Sequence, residues 1–262
     1  MEYRTILVEK KDYIGTLYLN RPEVLNAFSD EMREELLHFL QEAEKDDQLR
    51  VLIVSGKGKA FCAGGDLKLF KKRYEDYRRE GQREGAIRSL LSKVLARFPK
   101  PMIAAVNGTA VGFGATLPLN CDIRIASRKA RFSFAFARLG VTPELGSSYL
   151  LPRLIGFGQA AELVFTAKMF DAEEALRIGL ISRVVQPEDL LPEAEKMADE
   201  IARLPPAAIM AAKRLLRHGS HSTLDQALDY EAAVLQHSFQ TPEHYDAVCR
   251  MLKELELKRR AS

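Results

Sequence analysis

The chain has 262 residues, of which 47% are hydrophobic and 29% charged, with a formal net charge of +3. That balance excludes a disordered chain, allows one or two domains, and is too mildly basic to imply a nucleic-acid partner. Three cysteines, Cys62, Cys121 and Cys249, cannot all pair and form no CxxC, which excludes a disulfide scaffold and a cysteine zinc site. No apolar run reaches the roughly 18 residues of a membrane span, and the N-terminus lacks the apolar core of a secretory signal. A soluble, cytoplasmic chain with neither a membrane nor a nucleic-acid partner is expected.

Two short β-like runs, Thr5–Glu9 and Gly15–Asn20, open the chain. Ser29 then reads as the N-cap of an amphipathic helix over Asp30–Ala43, with Met32, Leu36, Leu40 and Ala43 on one face. Val51–Gly56 is a buried strand, and the stretch from Gly56 to Asp66 reads as loop. The stretch Lys68–Arg88 holds eight basic and four acidic residues. It is read as a solvated helical face, with a basic cover over a phosphorylated ligand as the functional alternative. A second buried strand, Met102–Gly108, is followed by a glycine-rich turn and then a strand over Asp122–Ala126. Strand, glycine loop and helix thus recur about every 50 residues. From about Pro143 onward the pattern is helical, with one strand at Leu180–Val185 and late helices over Ala207–His218, Thr223–Gln240 and Thr241–Lys258.

The common motifs are absent. There is no P-loop, no GxSxG and no HExxH among the five histidines, and the GxG at Gly112 lacks the third glycine of a dinucleotide site. What remains is two like devices, AFCAGGDL (Ala60–Leu67) and NGTAVGFGAT (Asn107–Thr116). Each is a buried strand, a glycine turn and a helix start. Such turns expose backbone N–H groups, and two of them converging on one point form an oxyanion hole. The alternative is that the glycines only make tight turns. Asp66 reads as a helix cap and Asp122 as a partner for loop backbone. Cys62 reads as a small buried filler.

Five segments in order resemble the crotonase superfamily, the enoyl-CoA hydratases and isomerases. They are Asn20–Arg21–Pro22 with Leu25–Asn26–Ala27, then AFCAGGDL, KPMIAAVNGTAVGFG, CDIRIAS and DAEEALRIGLISRVV. The resemblance implies an α/β fold, a crotonase-like spiral of ββα repeats over residues 1–200, with a C-terminal helical trimerisation domain over 201–262. It implies an acyl-CoA substrate, a homotrimer or hexamer, no metal, and no cofactor beyond the coenzyme A of the substrate. Gly65 and Phe113 would supply the N–H groups that hold the thioester oxygen. Ala27, Ala63, Gly64, Asp66 and Leu67 would line the adenine and pantetheine path.

Typical hydratases of this family use two glutamates, at positions where this chain has Thr116 and Phe136, the latter in the substrate pocket. A different carboxylate, Glu144, stands in LGVTPELGSSY. This segment resembles the peroxisomal-type 3,2-enoyl-CoA isomerase branch, which has one catalytic glutamate, and so implies Glu144 as the base. The alternative for Glu144 is a first-turn residue of a helix capped by Thr142. An apolar pocket around Glu144 is expected from Phe113, Phe134, Phe136, Val141 and Leu145. The rival functions are a hydratase or other enolate-forming enzyme, and a non-catalytic acyl-CoA-binding protein.

Overall fold

The structure is a computed structural model that describes residues 2–81 and 88–261. Residues 82–87, in the basic stretch, lie outside the described residues. An antiparallel pair, β1 (Ile6–Lys11) and β2 (Ile14–Leu19), opens the chain. Helix α1 (Asp30–Lys45) starts where Ser29 accepts a hydrogen bond from the Met32 amide, and it buries Met32, Leu36, Leu40 and Ala43. Then come β3 (Val51–Gly56), β4 (Ala60–Cys62), α2 (Leu67–Glu80) and α3 (Arg88–Arg97). The middle of the chain supplies β5 (Met102–Val106), β6 (Thr109–Val111), the single turn α4 (Phe113–Thr116), β7 (Ile123–Ser127) and β8 (Arg131–Ser133). Two helices, α5 (Ser147–Ile155) and α6 (Phe157–Thr166), precede β9 (Phe170–Asp171), α7 (Ala172–Arg177) and β10 (Arg183–Val185). Four helices close it: α8 (Leu190–Ala202), α9 (Pro206–Gly219), α10 (Leu224–Ser238) and α11 (Pro242–Ala261).

The strands form two sheets, one of six in the order β1-β2-β3-β5-β7-β10 and one of four in the order β4-β6-β8-β9. Three successive pairs, β3–β4, β5–β6 and β7–β8, each put their first strand in the larger sheet and their second in the smaller. Both steps between these pairs are parallel in both sheets, so the chain advances by one strand in each sheet per repeat. This is the spiral the resemblance implied. Strand β4 falls in a stretch expected to be loop. Three residues are too few to show a period, and only pairing with β6 makes them a strand. The two-residue β9 escapes the sequence pattern for the same reason.

Both faces of the larger sheet are covered, which is why β3 and β5 read as unbroken apolar runs. Leu52, Val54, Met102 and Ala104 face the main core, with Met32, Leu36 and Leu40 of α1 in the same cluster. Val51, Ile53, Ile103 and Ala105 face the other way and pack with Leu190, Ala194, Ala198 and Ala202 of α8. Helix α9 is tied to this core by charge. Lys213 is buried, and its ammonium donates to the Lys100 carbonyl at 2.6 Å and pairs with Asp122 at 2.7 Å. Helix α10 carries a complete capping box between Thr223 and Gln226 but buries no residue. Among the described residues, no helix is long and apolar enough to cross a membrane.

Candidate active site

Strand β4 runs into the first glycine turn, and the segment Leu25–Phe28 lies beside it. The Ala63 amide donates to the Leu25 carbonyl at 2.9 Å, Phe28 to Gly64 at 2.7 Å, and Asp66 to Phe28 at 3.0 Å. Phe28 and Gly65 form a parallel bridge. In such a bridge the neighbours of Gly65 make the bonds, so the Gly65 N–H points away from Phe28. Gly64 takes a φ of +103°, a region that favours glycine. Asp66 caps α2, its carboxylate accepting from the Lys68 amide at 3.1 Å. The structure therefore brings Ala27, Ala63, Gly64, Gly65 and Asp66 together. Leu67 follows as the first residue of α2, with its side chain 60% exposed.

Two polar residues hold this arrangement whose roles local sequence patterns do not reveal. Arg21 donates to the Ala27 carbonyl at 2.6 Å and reaches Asp66 at 3.5 Å. Asn26 is fully buried with a left-handed φ of 58°. Its side chain accepts from the Arg21 amide at 2.8 Å and donates to the carbonyls of Lys57 and Ala60 at 2.9 and 2.8 Å. The available signal was residue type, because asparagine tolerates the left-handed region better than other non-glycine residues.

The second turn ends β6. Gly112, at a φ of 52°, donates its N–H to the Ser133 carbonyl and accepts at its own carbonyl from Ala115 and Thr116. Phe113 opens α4, so its N–H is a first-turn donor that the helix itself does not use. The two turns touch: a Cβ on Gly64 would stand 3.1 Å from the Val111 carbonyl oxygen, and one on Gly112 3.8 Å from the Gly64 Cα. The rings of Phe28 and Phe113 stack with centroids 3.6 Å apart. The Gly65 and Phe113 donors thus belong to one contiguous backbone surface.

Glu144 is not in a helix. Helix α5 begins at Ser147 with Gly146 as its N-cap, so the Thr142 cap read as the alternative for Glu144 does not form. Leu145 and Gly146, at φ values of 51° and 74°, turn the chain before the helix starts. The Glu144 carbonyl accepts from the Ser147 amide at 2.9 Å. The apolar pocket expected to enclose the Glu144 carboxylate is not seen, because Glu144 lies at the surface. Phe113, Phe134, Phe136 and Leu145 are buried, whereas Val141 is 48% exposed and Glu144 itself is exposed.

Burial pushes the Cys62 thiol up to about 12, and the negative charge of Glu144 adds to the effect. A thiol so held stays protonated at neutral pH, in line with a packing role. Thr116 and Phe136, at the positions of the hydratase glutamates, are both buried. The Thr116 hydroxyl donates to the Phe113 carbonyl at 3.2 Å. Asp122, read as a partner for loop backbone, accepts from the Met102 amide at 2.8 Å and also pairs with Lys213 and Arg217.

Residues 9–255 match the family model described as enoyl-CoA hydratase/isomerase. The chain is 35% identical to the short-chain-enoyl-CoA hydratase of Clostridium acetobutylicum over 259 residues, 98% of each chain. It is 40% identical to the 1,2-epoxyphenylacetyl-CoA isomerase of Escherichia coli over 235 residues, 88% of each chain. The crystal structure of an enoyl-CoA hydratase from Bacillus anthracis superposes with a TM-score of 0.89 at 32% identity, covering 96% of this chain and 97% of that one. Two touching glycine turns on a two-sheet spiral, and a match running nearly end to end, place this acyl-CoA enzyme in the enoyl-CoA hydratase/isomerase family.

Proposed function

We propose that the chain is a 3-enoyl-CoA to 2-enoyl-CoA isomerase of the single-glutamate kind found in the peroxisomal-type branch. The Gly65 and Phe113 N–H groups donate to the thioester oxygen. Glu144 takes a proton from C2 and returns it at C4, and the two N–H groups hold the dienolate between those steps. Ala27, Ala63, Gly64, Asp66 and Leu67 line the path of the coenzyme A moiety, and Phe136 lies in the acyl pocket. The reaction needs no metal and no cofactor beyond the substrate's own coenzyme A.

One observation carries this reading: both hydratase glutamate positions hold buried residues that do not ionise, Thr116 and Phe136, while Glu144 stands in the turn just before α5. Hydration needs one group to activate water and another to deliver a proton. The Escherichia coli relative, named as an isomerase of an acyl-CoA, supports the same reading. The second reading, hydration, is favoured by the name of the clostridial relative.

The test is turnover of 3-trans- and 3-cis-hexenoyl-CoA and of a 2-trans-enoyl-CoA, by the wild type and Glu144→Gln in parallel. The expected result is 2-enoyl product from the wild type and a loss of about 10²–10⁴-fold in kcat in the variant. Hexanoyl-CoA, which cannot react, should bind both proteins alike. Heavy oxygen from labelled water in the product, surviving in the variant, overturns isomerisation in favour of hydration.

The proposal includes a homotrimer, alone or paired into a hexamer, with residues 201–262 as the helical part that builds it. Support comes from apolar side chains left uncovered in the single chain. Leu216, Leu224, Phe239 and Met251 of the late helices are 61–77% exposed, and Phe157 and Phe165 of α6 are 78% and 76% exposed. Surfaces of this kind mark association sites. Sedimentation equilibrium checks the assembly. The three cysteines, all free and two of them buried, support a reducing compartment such as the cytoplasm.

A further inference from the structure

Asn120 lies outside the glycine turns, and none of the sequence motifs includes it. It is 3% exposed and ends the short 3₁₀ turn Leu117–Asn120 that continues α4. Its side-chain amide donates to two carbonyls, that of Thr116 at 3.3 Å and that of Leu145 at 3.0 Å. Thr116 is the last residue of α4, whose first residue is Phe113. Leu145 follows Glu144 directly. One amide therefore grips both the helix that carries an oxyanion donor and the loop that carries the carboxylate.

The loop needs such a grip. Leu145 sits at a φ of 51°, a left-handed conformation that is strained for a non-glycine residue. Glu144 is exposed and stands before the first residue of α5. The buried Leu145 side chain, the Asn120 bond and the bond from the Ser147 amide to the Glu144 carbonyl hold the turn in place. Catalysis by a base and an oxyanion hole depends on their mutual placement to within about 1 Å.

We propose that Asn120 is a positioning residue that sets Glu144 relative to the Phe113 N–H. This rests on the reading of Glu144 as the base. Removing the amide leaves the first glycine turn in place, because no hydrogen bond of Asn120 reaches it, and the bond to Thr116 meets only the last residue of α4. The effect then falls on kcat and not on thioester binding.

The test uses the full chain with Asn120→Ala, and with Asn120→Asp, which keeps the shape but lacks the NH₂ donor. Steady-state turnover of 3-hexenoyl-CoA, hexanoyl-CoA binding and thermal melting are measured for each. The expected result is a folded protein with kcat lowered about 10–100-fold and with KM and the hexanoyl-CoA Kd within about threefold of wild type. In a Glu144→Gln background the same substitutions should cause no further loss, because they act through the missing carboxylate. A kcat within twofold of wild type in either folded variant overturns the proposal, as does an equal loss in the Glu144→Gln background. Failure of both variants to fold overturns it too, by making Asn120 a core residue. Full activity in Glu144→Gln alone refutes the reading of the base, and that outcome is distinct from an unaffected Asn120 variant beside an inactive Glu144→Gln.

Discussion

Gly114 lies directly on the carbonyl oxygen of Cys62, so close that a Cβ built on it would stand 2.1 Å from that oxygen and 2.9 Å from the Cys62 Cβ. This contact joins the helix of the second turn to the strand that leads into the first. Both neighbours belong to a fully buried strand, so neither can swing aside. Gly114→Ala must push α4 off β4 and carry the Phe113 N–H with it. The expected outcome is a loss of at least about 10²-fold in kcat, with a destabilisation of about 1–3 kcal/mol. Turnover and urea unfolding of the purified variant check both. Gly158→Ala is the control: a Cβ there meets nothing within 4 Å, and its stability should be unchanged or higher.

Gly65 presents the opposite case. A Cβ there would lie 2.2 Å from Cζ of Phe70, the tip of a side chain on α2 that is 36% exposed. The ring can rotate away, whereas the Cys62 carbonyl cannot. Gly65→Ala should therefore fold normally and lose about tenfold or less in kcat/KM. Adding Phe70→Ala to it should restore part of that loss. A double-mutant cycle on kcat/KM measures the coupling, and additive effects would contradict a direct contact.

Glu35 predicts how stability responds to acid. Its carboxylate is 2% exposed and accepts four hydrogen bonds, from the amides of Arg4, Thr5 and Ile6 and from the Thr5 hydroxyl, at 2.6–3.1 Å. Burial raises its pKa, but the hydrogen bonds outweigh burial and hold it below the ordinary glutamate value. A depressed folded pKa gives stability that is fully present above the unfolded value, near 4.3, and is lost as the pH falls through the folded value. Glu35→Gln should lower stability at pH 7 by about 1.5–3 kcal/mol and flatten the acid limb. Urea unfolding from pH 7 to pH 3 measures both.

Asp122 and Lys213 predict an order of damage. The Lys213 side chain is 8% exposed and that of Asp122 26%. Asp122→Asn leaves a buried ammonium without its counter-charge. Lys213→Met leaves a carboxylate that still accepts from Met102 and still pairs with Arg217. Asp122→Asn is therefore expected to cost more, about 2–4 kcal/mol, than Lys213→Met. Thermal melts rank the two variants. Hydrogen exchange should show α9 opening first in Asp122→Asn.

How much was legible can be followed element by element. The helix from Asp30 appears where Ser29 and the spacing of Met32, Leu36 and Leu40 put it. The strand Val51–Gly56 appears with the predicted bounds. These signals are local: a cap bonds to its own first turn, and a period describes one face of one element. The cap reading of Asp66 holds for the same reason. The Thr142 cap fails because Leu145 adopts a left-handed turn held by a bond from Asn120, and no pattern near Glu144 carries that information.

The sequence by itself determined the two glycine turns by residue type and short spacing, and its resemblance to the crotonase superfamily implied the α/β class and marked Thr116 and Phe136 as the positions where carboxylates are replaced. Only the tertiary structure decided that the turns touch at Gly112 and Gly64, that Gly114 seats on Cys62, and that Asn120 joins α4 to the Glu144 loop. Those contacts link residues 25–52 positions apart. They depend on the register between β4 and β6 and on the packing of α5 against the turn after α4, which the chain settles only once its sheets have paired.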